Sequence, residues 1–463
     1  MRGFLASPIG VAASAALVLP LSLALAVPAL AAPPPPPSSP AQADAPAGRS
    51  ALEPTPNPPG STRSLRLDPT ANRSLAPTGE RGLRTVGIGP FSLVGVVWKD
   101  PAAELAGTVE VRTRTLATGR WSPWQGVEAH THEHGADPDT SEARSERTRG
   151  ATAPLWVGAS DGVEVRVRPD APHAKALPDG LQLELVDPGA DPQVSGTDQP
   201  GVGRSKDEPG VVVPGVVLPG ATYLPDLTDV WNLVGKPAGL GAAQPPQTSQ
   251  PAPKAEAAAA SYIGPRPKII TRKGWGADES LREKKFAYTS TVKAAFVHHS
   301  ATGNSYTCKQ APSVLRSIYR YHVVSSGWRD FGYNFAIDKC GTIYEGRAGG
   351  VTKAVLGAHT LGFNSNSMGI ALLGTYSHTN PPAAAVTAVA RLTAWKLGLF
   401  KRNPKGKVTL TSGGSGKHAK GKKVSFNVIA GHRNAFATDC PGARLYSKLG
   451  AIRTASAGYQ GRE

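Results

Sequence analysis

Period-two alternation dominates the first half of the chain. In "TVEVRTRT", Val109, Val111 and Thr113 alternate with Glu110, Arg112 and Arg114. "VEVRVR" does the same with Val163, Val165 and Val167 against Glu164, Arg166 and Arg168, and "LQLELV" repeats it with Leu181, Leu183 and Leu185. Such alternation predicts strands with one buried face. With "FSLVGVVW" and "PLWVG" these segments predict a small all-β, sandwich-like domain over residues 86–190. The second half mixes periods. "KAAFVHHS", "SMGIALLG" and "FNVIAGHR" read as buried strands, and "YNFAIDKCGTIYEGR" as a hairpin turning near Lys339 to Gly341. "SVLRSIYRYHVVSSG" puts Val314, Ile318, Tyr321 and His322 on one helical face and stops at Gly327. "PPAAAVTAVARLTAWKLGLF" opens on proline and continues as a helix. Strands and helices mingling in this way predict an α/β domain over residues 266–457, a mixed central sheet flanked by helices.

The intervening stretches have no period. Residues 32–85, rich in Pro and Ala, read as a disordered spacer, and residues 191–265 as a Pro/Gly/Ala linker. Within that linker only "ATYLPDLTDVWNLVG" is more apolar. Residues 1–31 place Arg2 before the apolar run "VAASAALVLPLSLALAVPAL" and end in Ala29-Leu30-Ala31, the layout of a cleaved signal peptide. The run is long enough for a retained anchor. The small residues and the "PPPPP" that follow favour cleavage, so export without stable membrane insertion is expected.

The formal net charge of +17 suits an anionic partner: nucleic acid, membrane or wall polymer. No nucleic-acid-binding motif of the usual kinds accompanies it, so nucleic acid is not expected. The run 401–423, "KRNPKGKVTLTSGGSGKHAKGKK", is basic without an acid. It reads either as a solvated hairpin or as a contact to an anionic wall polymer.

Candidate chemistry gathers in the α/β half. His298 and His299 are strand neighbours and face opposite ways. His432 closes another strand, and Cys440 follows it on a short tether. Two imidazoles and a thiolate with one position open is the pattern of a catalytic zinc site. Taken singly, each residue is more often an inert core residue than a ligand. Two further motifs are weaker. "HTHEH", residues 130–134, sits in a polar stretch and reads as a solvated loop rather than a metal site. Trp121 and Trp124 of "WSPW" read as packing residues before sugar-stacking ones.

In order along the chain, "KGWGA", "VHHSAT", "GWRDFGYNFAIDKCGTIYEGR", "GAHTLGFNSNSMGIALLG" and "AGHRNAFATDCPG" resemble the peptidoglycan recognition proteins. More broadly, they resemble the zinc N-acetylmuramoyl-L-alanine amidases related to the phage amidase-lysozymes. The resemblance spans about 266–450 and leaves out the N-terminal half. It implies Zn2+ held by His298, His432 and Cys440, with Tyr333 and Thr438 as catalytic residues. It implies substrate contacts at His322, Trp328, Arg347, His359 and Asn364, and peptidoglycan (a muramyl peptide) as partner. Cys440 is the residue that catalytic members keep and pure recognition members lack. Members that prefer diaminopimelate carry Gly-Trp after "EGR"; here Ala348 and Gly349 stand there. With Cys440 given to the metal, Cys308 and Cys340 remain of the three cysteines and are expected to form a disulfide. The expectation is therefore an exported, wall-associated zinc amidase cutting between N-acetylmuramic acid and L-alanine. A binding module that recognises peptidoglycan without cutting it is the alternative.

Overall fold

The computed structural model describes residues 60–69, 79–129, 133–170, 177–191 and 262–463. The expected signal peptide, most of the Pro/Ala spacer and nearly all of the second linker lie outside the described residues. So do His130, Thr131 and His132. All described residues belong to one compact unit, Pro56–Glu463. Among them, no helix is long and apolar enough to cross a membrane.

The first part is an eight-stranded sheet that begins inside the stretch expected to be a disordered spacer: Ser61–Arg66 and Asp68–Pro69 are strands and residues 81–85 open a third, drawn into order by pairing with distant strands. Its strands are β1 (Ser61–Arg66), β2 (Asp68–Pro69), β3 (Arg81–Trp98), β4 (Gly107–Thr115), β5 (Gln125–Val127), β6 (Gly150–Ala151), β7 (Leu155–Pro169) and β8 (Gln182–Asp187). The main path runs β1-β8-β3-β7-β4-β5, and its pairings are antiparallel. The alternation sorts side chains as expected. Val94, Val96, Val109, Val111, Val163, Val165, Val167, Leu183 and Leu185 share one core. The opposite face is not simply solvated. Leu93, Val97, Trp156 and Val186 join a second core with residues of the α/β part.

The second part is a six-stranded mixed sheet, β16-β10-β13-β11-β12-β9. Its strands are β9 (Ile269–Ile270), β10 (Ala294–His299), β11 (Phe335–Ile337), β12 (Ile343–Glu345), β13 (Ser367–Leu372) and β16 (Ile429–Gly431). A separate hairpin of β14 (Lys407–Thr411) and β15 (Lys423–Asn427) carries the lysine-rich run. The helices are α1 (Arg272–Trp275), α2 (Ala311–Arg320), α3 (Ala383–Leu399), α4 (Ala443–Tyr446) and α5 (Leu449–Tyr459).

Local chemistry accounts for the main features. Pro312 sits in the first turn of α2, where its missing N–H costs nothing. The helix then continues into a π-helical turn, Tyr321–Ser325, and Gly327 ends it with φ +73°. In the β11–β12 turn the Asp338 carboxylate accepts from the N–H groups of Cys340 and Thr342, both at 2.9 Å. Helices α3 and α5 pack Val389, Leu392, Trp395 and Ile452 against Val297, Ile337 and Ile370 on one face of the mixed sheet. On the other side, α2 and the π turn carry Val314, Ile318 and Tyr321 into the core shared with the β-domain. The approach of the two parts is tight. A Cβ on Gly95 of β3 would lie 2.4 Å from the Tyr321 hydroxyl, and one on Gly327 would lie 1.9 Å from the Arg147 carbonyl oxygen.

Candidate metal centre

Parallel neighbours build the site. β10 lies between β13 and β16, with Val297 paired to Gly431. The chain leaves β10 through His298 and leaves β16 into a 3-10 turn beginning at His432. The two imidazoles therefore emerge side by side, their ring centroids 4.5 Å apart. A hydrogen bond from the Arg433 N–H to the Cys440 carbonyl, 2.9 Å, folds the following loop back. This leaves the Cys440 sulfur 3.7 Å from His298 Nδ1. All three residues are buried.

His299 points elsewhere, as strand geometry requires. Its Nδ1 accepts from the Tyr376 N–H at 3.3 Å, and its Nε2 lies 3.7 Å from the Glu128 carboxylate. Tyr333 stands next to His298, with ring centroids 5.2 Å apart. The Thr438 hydroxyl accepts from the Cys440 N–H at 3.1 Å.

The expectation of a solvated "HTHEH" loop is overturned where it is described. His134 joins His298, His432 and Cys440, and the four donor atoms all lie within 4.8 Å of one another. Its Nδ1 donates to the His359 carbonyl oxygen at 3.0 Å. Glu133 beside it is 2% exposed and accepts a 2.9 Å hydrogen bond from Thr438. The reason is tertiary: the polar stretch between β5 and β6 lies on the α/β part and satisfies its polar groups there. The sequence signal was histidines and an acid crowded into five residues. Its polar flanks made it resemble an exposed turn.

The same loop meets residues expected to contact substrate. Arg347 is buried and holds both oxygens of Glu142 at 2.8 Å. The Asn364 amide donates to Asp137 at 2.7 Å and to the Gly135 carbonyl at 2.8 Å. His359 is fully buried, its Nδ1 2.9 Å from the Thr360 hydroxyl. His322 stacks on Trp328 at 4.5 Å and accepts from the Gly332 N–H. Beside the cluster is a small cavity whose lining includes Glu128, Glu133, His134, His322, Trp328 and Tyr333. Trp121 and Trp124 do not line it. Arg84 and Arg112 lie over the first ring, and Arg112 and Arg166 over the second.

Burial sets the electrostatics. It pushes His298 and His432 well below the usual imidazole range, reinforced by their histidine neighbours, so both are neutral and present lone pairs. Among the described residues, neither ring nitrogen of His432 meets a well-aligned hydrogen-bond partner. Burial pushes the Cys440 thiol and the Tyr333 phenol well up, so the phenol stays protonated and can donate. Burial also raises Glu133 to about 8 and Glu128 to about 7. Buried neutral imidazoles beside a sulfur fit a soft-to-borderline divalent cation, which would stabilise the thiolate and take up the lone pairs.

Cys308 and Cys340 form the expected disulfide and tie the segment before α2 to the β11–β12 turn.

The family described as N-acetylmuramoyl-L-alanine amidase matches residues 288–443, and that described as Rv3811 N-terminal galactose-binding domain-like matches residues 48–199. Peptidoglycan-recognition protein SC2 of Drosophila simulans is 30% identical over 181 residues, which cover 39% of this chain and 84% of that protein. The chain belongs to the peptidoglycan-recognition protein family. Among other family relatives, the N-acetylmuramoyl-L-alanine amidase of Homo sapiens is 33% identical over 138 residues, 29% of this chain and 19% of that protein. A mutant of Drosophila PGRP-LB, solved in complex with tracheal cytotoxin, is 25% identical with a TM-score of 0.32. That alignment covers 41% of this chain and 96% of the neighbour. The family assignment concerns the α/β part. The loop that brings His134 to the cluster belongs to the other part.

Proposed function

We propose that this chain is an exported, wall-associated zinc amidase of peptidoglycan, hydrolysing the amide between N-acetylmuramic acid and L-alanine. The observation that carries the reading is the convergence of His298, His432 and Cys440 donor atoms beside the Tyr333 phenol. Family membership and the match to an amidase family support peptidoglycan as the substrate. The three side chains would hold zinc, which supplies Lewis-acid activation of water and of the scissile carbonyl.

The remaining roles fall to the chain's own groups. Tyr333, neutral because it is buried, donates a hydrogen bond to the oxyanion that develops at the carbonyl. Thr438, tied to the Cys440 N–H, orients the cysteine and presents its hydroxyl at the same place. A protonated carboxyl at Glu128 is a proton source for the departing alanine amine. The basic β14–β15 hairpin offers a contact for an anionic wall polymer.

The competing reading is recognition without cleavage, and retention of Cys440 favours the enzyme. Product identity tests the choice. Purified walls treated with the zinc-loaded chain should yield stem peptides with a free alanine amine and peptide-free glycan, read by mass spectrometry. Tight wall binding with no such product, from the full chain or from its His134→Ala variant, would establish the recognition reading.

A further inference from the structure

We propose that His134 is a fourth, removable metal ligand, and that the β-domain loop carrying it holds the centre closed in a latent state. This rests on the zinc reading above and goes beyond it. Three protein ligands leave a position for substrate; four close a tetrahedral zinc site. The His134 donor atom lies in the same 4.8 Å cluster as the other three. Its tautomer is set in the way usual for ligating imidazoles. Nδ1 gives its proton to the His359 carbonyl oxygen, which puts the lone pair on Nε2.

The loop is built to stay. The connection between the short strands β5 and β6 runs from residue 128 to 149, longer than the roughly 15 residues beyond which loops are uncommon and usually either functional or linkers. It is pinned at successive points. The Leu361 N–H donates to the Glu133 carbonyl at 2.9 Å. The Asp137 carboxylate accepts from the Gly362 N–H at 2.8 Å and from the Asn364 amide at 2.7 Å. The Glu142 carboxylate takes both Arg347 nitrogens. The Arg149 N–H donates to the Ser326 carbonyl at 3.1 Å. Two of these anchors reach the centre directly: Ser326 lines the cavity beside the cluster, and Asn364 accepts from the N–H of His359, whose carbonyl holds His134. Thr438, assigned above to catalysis, is engaged by Glu133. Displacement of residues 133–142 would uncover the fourth position, Thr438, Asn364 and Arg347 together.

The test uses the full chain loaded with zinc and read by X-ray absorption at the zinc edge, alongside wall hydrolysis. The wild type should show three nitrogen ligands and one sulfur. His134→Ala should replace one imidazole by a light oxygen scatterer at unchanged zinc stoichiometry, and should raise hydrolysis about tenfold or more. Asp137→Ala, which loosens the loop without touching a ligand, should move both readouts the same way by less. Two imidazoles, one sulfur and an oxygen in the wild type, unaltered by His134→Ala, would overturn the closed centre while leaving the amidase reading intact. Three imidazoles with no gain of hydrolysis in either variant would overturn latency. A wild type that takes up no zinc would overturn both readings at once.

Discussion

The Arg347 guanidinium and the Glu142 carboxylate, from different parts of the chain, meet in a bidentate pair at 2.8 Å through each nitrogen, both side chains almost fully buried. Buried pairs of this kind are weak evidence of net stabilisation, but breaking one leaves an uncompensated charge. Glu142→Ala should therefore lower unfolding free energy by about 3–5 kcal/mol. A double-mutant cycle with Arg347→Met should recover much of that loss. Additive losses in urea denaturation would mean the two groups are not coupled.

The same pair sets a pH dependence. Glu142 is held below the usual carboxylate range by Arg347, against the opposing effect of burial. Its contribution is complete above the ordinary glutamate value and is lost as pH falls through the lower folded value. Stability of the wild type should fall below about pH 4 more steeply than that of Glu142→Gln. Denaturation midpoints measured at several acid pH values check this.

Tyr333→Phe keeps the ring beside His298 and removes the hydroxyl. Zinc content and unfolding should be unchanged, while turnover drops on the order of 10²-fold or more, as for loss of one oxyanion donor. Single-turnover kinetics on a soluble muramyl peptide read this. Unaltered turnover would make Tyr333 a packing residue.

The two adjacent histidines should separate cleanly. His298→Ala should lose the metal on dialysis against a weak chelator, and His299→Ala should keep most of it, because only the first faces the cluster. Zinc stoichiometry by elemental analysis decides, and the opposite result would move the site to the other face of the sheet.

Removing the disulfide by Cys308→Ser with Cys340→Ser should cost about 2–4 kcal/mol, as expected for a bridge 32 residues apart in sequence. Zinc content should stay the same, since neither cysteine touches the centre.

The alternating valines and leucines of β4, β7 and β8 and the opposite facing of His298 and His299 on β10 were legible because local period decides which way a strand side chain faces. Glu184 shows where that logic stops. It alternates with Leu183 and Leu185 as a solvent-facing acid should, yet it is 1% exposed and accepts a 2.7 Å hydrogen bond from Ser325. Period reports the face but not what covers it. Glu133 and His134 were misread for the same reason. Their partners, Thr438 and His432, are hundreds of residues away, and no local pattern encodes such a pairing. The disulfide and the three α/β donor positions came from family resemblance rather than from spacing, which alone favoured inert core residues.

Gly95 lies flush against the Tyr321 phenol, in a seam where Leu93, Val97, Trp156 and Val186 complete a core that the α/β part begins. A chain cut near residue 262 would therefore shed more than a tether. It would bare an oily scar of tyrosine, valine and isoleucine along α2 and the π turn, and would uncover Arg347 with its Glu142 partner gone. Each half has been shaped as the other's lid, so what passes along the sequence for an accessory module is, in three dimensions, one wall of the room in which the chemistry would occur.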